Sequence, residues 1–246
     1  MKTLYQFSFS KTFFSHLIKA IFYSYHYDKG VVIKKILTNP ELIIDVGTHS
    51  GQVSKMLSRL YNNKVKIIAI EPGLYARTIL RISIIINRLK NIFVLPVAVS
   101  DKPGFSFLNI PEKRKNSLGF GLSHMSSNHN DFSERKFKTH YDYVPVTTID
   151  QIVDDLNLEK VDFIKMDIEG FEYKALLGAT KTLKKYKPIL YMELHEKFLQ
   201  RNKNSTKDVY SFLRKLNYKS FFISGTGLIE YKDSRESDEI FFINKK

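Results

Sequence analysis

An apolar run, Leu42-Ile43-Ile44-Asp45-Val46, stops at Gly47 and opens, after a second glycine at Gly51, onto a stretch of helical spacing from Gln52 to Tyr61. A strand that turns through glycine directly into a helix is half of a βαβ unit, which commits the chain to parallel strands joined by right-handed crossovers. The pattern recurs. Val65 to Ile70 ends in Glu71-Pro72-Gly73 and leads into a helical segment through Ile79, Ile82, Ile86 and Leu89. Asn91 to Val99 reads as a third strand, Phe105 to Ile110 as an extra extended segment, and Val144 to Thr147 as a strand before a helix from Ile149 to Asn157. Val161 to Met166 is a strand ending in Asp167, one helix covers Glu172 to Tyr186, and Pro188 to Leu194 is the next strand. A helix from Thr206 to Leu216 precedes short strands at Lys219 to Ser224, Leu228 to Tyr231 and Glu239 to Ile243, with a hairpin around Gly225-Thr226-Gly227. The expected fold is therefore α/β and Rossmann-like: a mostly parallel twisted sheet with helices on both faces and a C-terminal antiparallel hairpin.

Two segments stand outside the alternation. Residues 11 to 27 place Phe13, Phe14, Leu17, Ile18, Ile21 and Phe22 at spacings of three and four, so residues 1–39 read as an N-terminal amphipathic helical extension ahead of a domain at 40–246. Such a helix serves more often as a packing lid than as a membrane anchor. From 111 to 140 the chain turns polar, with no periodicity, and reads as one long loop and a candidate lid. His124, His129 and His140 fall in it and read as surface or lid residues.

Composition closes several routes. With no cysteine, disulfides, thiolate metal sites and cysteine nucleophiles are absent, and the chemistry must use oxygen and imidazole. No apolar run approaches the ~18 residues of a membrane span and no signal-peptide pattern opens the chain, so a cytoplasmic location is the expectation. The formal charge of +14 would attract nucleic acid or an anionic substrate. Its lysines, however, are spread along a chain also rich in Ile and Asn, as biased codon usage would produce, and no basic run or aromatic-basic module appears. Nucleic acid is not the expected partner. The oligomeric state is left open.

Open α/β sheets bind ligands beyond the carboxyl ends of their strands. There the chain carries Asp45, Gly47, Thr48, Ser50 and Gly51 around the first turn, where glycine lets the backbone approach a ligand closely. Asp45 can accept hydrogen bonds from a ligand ammonium group. Glu71, at the end of the second strand and followed by Pro72, can accept both ribose hydroxyls of an adenosine. Ser100 and Asp101, after the third strand, sit by position near an adenine, though the turn Asp101-Lys102-Pro103-Gly104 explains Asp101 almost as well. A nicotinamide dinucleotide would require G-x-G-x-x-G, yet His49 stands where that pattern needs glycine. S-adenosylmethionine (SAM) is the favoured cofactor.

Further carboxylates end the later strands, in Lys165-Met166-Asp167-Ile168-Glu169-Gly170 with Glu172, and in Glu193-Leu194-His195. Taken with Asp45-Val46-Gly47, Glu71-Pro72, Val146-Thr147-Thr148-Ile149-Asp150 and Leu177-Gly178-Ala179, their order and spacing resemble the FkbM family of methyltransferases over about residues 40 to 196. The resemblance implies a class I methyltransferase fold and methyl transfer from SAM to a hydroxyl, often on a sugar or a polyketide-like metabolite. Thr48 and His49 depart from the Ala-Asn usual after Gly47, and Phe171 replaces a residue that is commonly small. A small-molecule or glycan hydroxyl is thus the expected acceptor. An RNA methyltransferase and a non-catalytic SAM-binding module are the alternatives.

The methyl of SAM is already activated, so the protein must align an acceptor and remove its proton. His195 is the candidate base because an imidazole titrates near neutrality. Asp167 and Glu169 could orient it, bind acceptor hydroxyls or hold a divalent metal, which is not expected to be required. Glu193 could instead cap a helix or pair with Lys165.

Overall fold

The structure is a computed structural model describing residues 11–23, 27–114, 117–118, 123–126, 139–232 and 237–244. In chain order the elements are α1 (Lys11–Phe22), α2 (Tyr27–Ile36), β1 (Leu42–Val46), α3 (Gln52–Leu60), β2 (Lys66–Ile70), α4 (Leu74–Ile86), β3 (Ile92–Leu95) and β4 (Ala98–Val99). They continue as β5 (Gly104–Arg114), β6 (Ser117–Leu118), β7 (His124–Ser126), β8 (Thr139–Thr147), α5 (Ile149–Asp155), β9 (Phe163–Met166), α6 (Glu172–Leu177) and α7 (Thr180–Tyr186). The chain then runs through β10 (Ile189–Leu194), α8 (Glu196–Arg201), α9 (Thr206–Lys215), β11 (Tyr218–Ser224), β12 (Gly227–Tyr231) and β13 (Ser237–Asn244).

The main sheet has eight strands in the order β12-β11-β13-β10-β9-β1-β2-β3. Strands β10, β9, β1, β2 and β3 are parallel to one another. β13 inserts antiparallel between β10 and β11, and β11 and β12 form the expected hairpin. The fold is α/β and Rossmann-like, with the mostly parallel sheet and C-terminal antiparallel hairpin expected. The sheet grows outward from β1 in both directions, first to β2 and β3 and then to β9 and β10. The crevice between β1 and β9 is thus the topological switch point where such folds place ligands.

All five residues of β1 are buried, as a strand covered by helices on both faces must be. Leu42, Ile44 and Val46 pack on one face with Ile149, Leu176, Leu183, Val209 and Leu213 from α5, α6, α7 and α9. Ile43 packs on the other with Ile33, Leu57 and Leu80 from α2, α3 and α4. At about 25 cal/mol per Å² of apolar surface removed from water, this two-sided burial is the main term favouring the sheet.

Several local expectations give way to tertiary context. The third strand is interrupted at Pro96-Val97: Ile92–Leu95 joins the main sheet, whereas Ala98–Val99 pairs parallel with β8 in a second sheet. That sheet has the order β4-β8-β5-β6, with β7 also on β5. It includes part of what reads as the polar loop 111–140: residues 111–114, 117–118, 124–126 and 139–140 are strand, and 115–116, 119–122 and 127–138 lie outside the described residues. The helix expected over 172–186 is two, broken at Gly178, where a Cβ would lie 2.1 Å from the Ser100 carbonyl oxygen. The helix expected over 11–27 ends at Phe22, a second helix, α2, lies inside the helical extension expected over 1–39, and α8 forms in what reads as a polar link.

α1 lies along α4, with Phe13 edge-on to Tyr75 and His16 Nδ1 3.0 Å from the Tyr75 hydroxyl. Lys55 Nζ from α3 donates to the carbonyls of Ala20, Ile21 and Tyr23, capping the end of α1 with a cation. Phe13 and Ala20 of α1 share a third apolar cluster with Tyr75 and Ile79 of α4 and with Leu108, Ile110, Met125, Val144 and Val146 of the second sheet. Among the described residues no helix is long and apolar enough to cross a membrane.

Candidate active site

The turn after β1 is built on backbone conformations that few residues adopt. Gly47 has φ 71° and its Cβ would lie 1.9 Å from the Asp167 carbonyl oxygen, so only glycine fits between β1 and β9. His49 also takes a left-handed conformation, at φ 59°, where Asn and His are among the more tolerant residues. The departure from Ala-Asn therefore preserves the turn.

Asp45, the penultimate residue of β1, is fully buried. Its Oδ2 accepts from Thr48 Oγ1 at 2.7 Å and Ser54 Oγ at 2.5 Å, while Oδ1 has no hydrogen-bond partner and lies 3.6 Å from Lys165 Nζ. Lys165, from β9, also donates to the Gly47 carbonyl at 2.9 Å and sits 3.5 Å from Asp167 Oδ2. Burial opposes its charge, but Asp167 and Asp45 outweigh that and hold its pKa above the ordinary lysine value.

Glu71 follows β2, almost fully buried. Its Oε2 accepts from the His49 amide at 2.9 Å and its Oε1 from the Gly73 amide at 2.8 Å. Burial raises its pKa, opposed by His49, by those amides and by Lys165. The two bonds fix the carboxylate at the rim of the first turn.

Glu71, Lys165 and Asp167 border a cavity of about 280 Å³. Gly47, Thr48, His49, Glu71 and Pro72 line one part, and Lys165, Asp167, Ile168, Glu169 and Glu193 another. Ala98, Val99, Leu108, Ser123, His124 and Met125 form a wall from the second sheet. Of the residues read as cofactor-binding, Gly47, Thr48, Glu71 and Pro72 line the cavity; Asp45, Ser50, Gly51, Ser100 and Asp101 do not. Asp45 lies behind the turn. Ser100 is held against β8 and Gly178, with its amide on the Thr147 carbonyl and its hydroxyl on Asp101.

The residues read as catalytic divide as well. Asp167 and Glu169 line the cavity, whereas His195 does not; its Nε2 is 2.7 Å from Oε1 of the lining residue Glu193 and its ring is edge-on to Phe198. Glu169 has φ 56°, and burial, then Asp167, Glu193 and Glu172, push its carboxyl up to about 8. Next to it Gly170 has φ 105°, and its Cβ would lie 2.3 Å from the Phe198 carbonyl oxygen. Glu172 caps this turn by accepting from the amides of Ile168 and Gly170. Asp150 has a structural role, accepting from the amides of Lys181 and Thr182 and so tying α5 to α7.

Two of the histidines read as surface or lid residues are not on the surface: His124 is buried in the cavity wall, and His140 is largely buried beside Glu112 at 3.0 Å. His129 lies outside the described residues. Lys165 and Glu193 are site residues underweighted on sequence. A lysine inside Phe163-Ile164-Lys165-Met166 was the available signal, since a charge in a buried strand needs a partner. His124 and Met125, in an aperiodic polar stretch, carried none.

The sequence model described as the methyltransferase FkbM domain matches residues 45–220. Among solved structures the chain is similar to the methyltransferase FkbM from Methylobacillus flagellatus, at 19% identity and TM-score 0.51, over 83% of this chain and 43% of that one. This chain thus spans less than half of that protein's length. It is also similar in fold to a protein assigned as an O-methyltransferase from Klebsiella pneumoniae, at 8% identity and TM-score 0.51, over 96% of this chain and 91% of that one. A protein assigned as a caffeoyl-CoA O-methyltransferase from Staphylococcus aureus gives 9% identity and TM-score 0.51, over 98% and 96%. No curated protein sequence matches the chain.

Proposed function

The chain belongs to the FkbM methyltransferase family, and on that premise we propose that it transfers the methyl group of SAM to a hydroxyl of a sugar, glycan or other small metabolite. The observation that carries the reading is the cavity at the switch point, with Glu71 on one side of the Gly47 turn and the carboxylates of Asp167, Glu169 and Glu193 on the other.

The residues fit SAM. Glu71 presents a carboxylate, already oriented by two amides, to the ribose hydroxyls of an adenosine. The tight turn from Gly47 to Gly51 exposes backbone to the ligand's amino-acid part, and Leu108 and Met125 offer an apolar wall. When bound, SAM supplies an activated methyl. What remains for the chain is to orient the acceptor and take its proton. Asp167 and Glu169 bind acceptor hydroxyls; Glu169, carrying a proton near neutral pH, can donate as well as accept. Glu193 faces the acceptor with His195 behind it, so the pair receives the proton and His195 holds the carboxylate in place. Three carboxylates could attract a divalent metal, but the reading does not require one. Residues 1–39 act as a helical extension on a domain at 40–246.

Calorimetry with SAM and, separately, NAD tests the cofactor. Micromolar SAM binding without NAD binding is expected, and NAD binding alone, or neither, would overturn the reading. A screen of sugar acceptors with SAM then tests the acceptor class.

A further inference from the structure

The charge of the cavity is opposite to that of the chain. In a protein of formal charge +14, the described residues that line the cavity carry Glu71, Asp167, Glu169 and Glu193 against the cation Lys165. That ammonium is already divided between Asp45 and Asp167 and donates to the Gly47 carbonyl. Local field, not net charge, decides what such a cavity holds.

The strand register says where the field acts. Ile70, Val46 and Met166 are level on adjacent rungs of β2, β1 and β9, so Glu71, Gly47 and Asp167 leave the sheet side by side. At ~4.8 Å per strand, Glu71 and Asp167 are separated by roughly 10 Å across the turn. An adenosine whose ribose hydroxyls reached Glu71 would have its 5′ sulfur within reach of Asp167 and its neighbours if that end pointed along the cavity towards β9.

We propose that Asp167, Glu169 and Glu193 recognise the positive charge on the sulfur of SAM, so that the site holds the sulfonium more tightly than the neutral thioether of S-adenosylhomocysteine. The inference rests on the SAM reading above and adds to it a discrimination between substrate and product. In the reaction the methyl leaves sulfur for the acceptor oxygen, the bonding pair stays on sulfur, and the acceptor proton departs through Glu193. Sulfur goes from a cation to a neutral atom, and the attraction that held it disappears with the transfer. Product release is thereby favoured by the same carboxylates that retain the substrate.

Protonation adds an independent signature. Glu169 is faced by Asp167 on its own turn, Glu193 from β10, Glu172 from α6 and Arg201 from α8, and it keeps its proton to about pH 8. A cation arriving beside it favours the ionised form, so SAM binding releases a proton and strengthens as pH rises towards and through that value. S-adenosylhomocysteine has the same amino and carboxyl groups but no sulfonium, and lacks this dependence.

The test is isothermal calorimetry of the full chain with SAM and with S-adenosylhomocysteine at about pH 6.5 and 8.5, in two buffers of different ionisation enthalpy. SAM is expected to bind about tenfold or more tightly at the higher pH, with a smaller ratio and proton release at the lower one. Glu169→Gln and Glu193→Gln are expected to narrow the ratio while leaving S-adenosylhomocysteine affinity within about twofold, which also reports that the variants are folded. Product binding as tightly as SAM at both pH values would overturn the charge recognition and leave the SAM reading standing. Binding of neither would overturn both.

Discussion

Glu71, Glu169 and His195 bear separable parts of the proposed chemistry, and each can be removed without excavating the core. Glu71→Ala takes away the proposed charged acceptor for the ribose hydroxyls, and SAM affinity is expected to fall by ~1–3 kcal/mol by calorimetry. An unchanged affinity would take Glu71 out of the cofactor site. His195→Ala leaves Glu193 lining the cavity but without its 2.7 Å partner. Turnover is expected to fall by ~100-fold or more while SAM affinity stays the same. For Glu169 the sign follows from its raised pKa: the unfolded chain loses this proton near the ordinary glutamate value, whereas the folded chain keeps it to about 8. Through Glu169, folding therefore binds one proton between those values, and this contribution to stability is lost as pH rises through that window. Glu169→Gln removes this dependence. Chemical denaturation across that range is expected to show a slope shallower by about one proton than in the parent.

At the level of elements, α1 is held on the domain by two kinds of force. Phe13, Ala20 and Ile21 bury apolar surface, and Lys55 satisfies three carbonyls that the helix end leaves open. Lys55→Met keeps the stem and deletes the ammonium, so the docking of α1 is expected to weaken by ~1.5–3 kcal/mol. Amide exchange should accelerate over residues 11–22 while β1 and β9 remain protected; unchanged exchange in α1 would show that apolar contact alone holds it. The second sheet is the other element of consequence. It draws β4 away from the main sheet and brings Leu108, His124 and Met125 to the cavity, so part of the site wall comes from a segment whose sequence resembles a loop.

For the molecule as a whole, net charge and local charge point to different partners. A formal +14 attracts polyanions, but the cavity presents mainly carboxylates, which disfavour a phosphate backbone near the transferred methyl. Any RNA binding is expected to be weak, lost between about 50 and 200 mM salt, and unaccompanied by methyl incorporation. Labelled SAM with total RNA, read by filter binding, checks this; incorporation into RNA would favour the RNA methyltransferase reading instead.

What the sequence determined by itself is local. The βαβ alternation, the Gly47 turn, the carboxylates at strand ends and the terminal hairpin all follow from periodicities and turn residues that act over a few positions. Tertiary structure alone decided which of those groups meet. Lys165 reaches Asp45 because β9 docks beside β1, more than a hundred residues along the chain. Ser100 leaves the cavity because β4 pairs with β8, and the helix after Glu172 breaks because Gly178 packs on the Ser100 carbonyl. His195 pairs with Glu193 without lining the cavity itself, a matter of how β10 turns into α8. Strand order, register and close backbone contact are long-range, and neither the period of a helix nor the residues of a turn carries them.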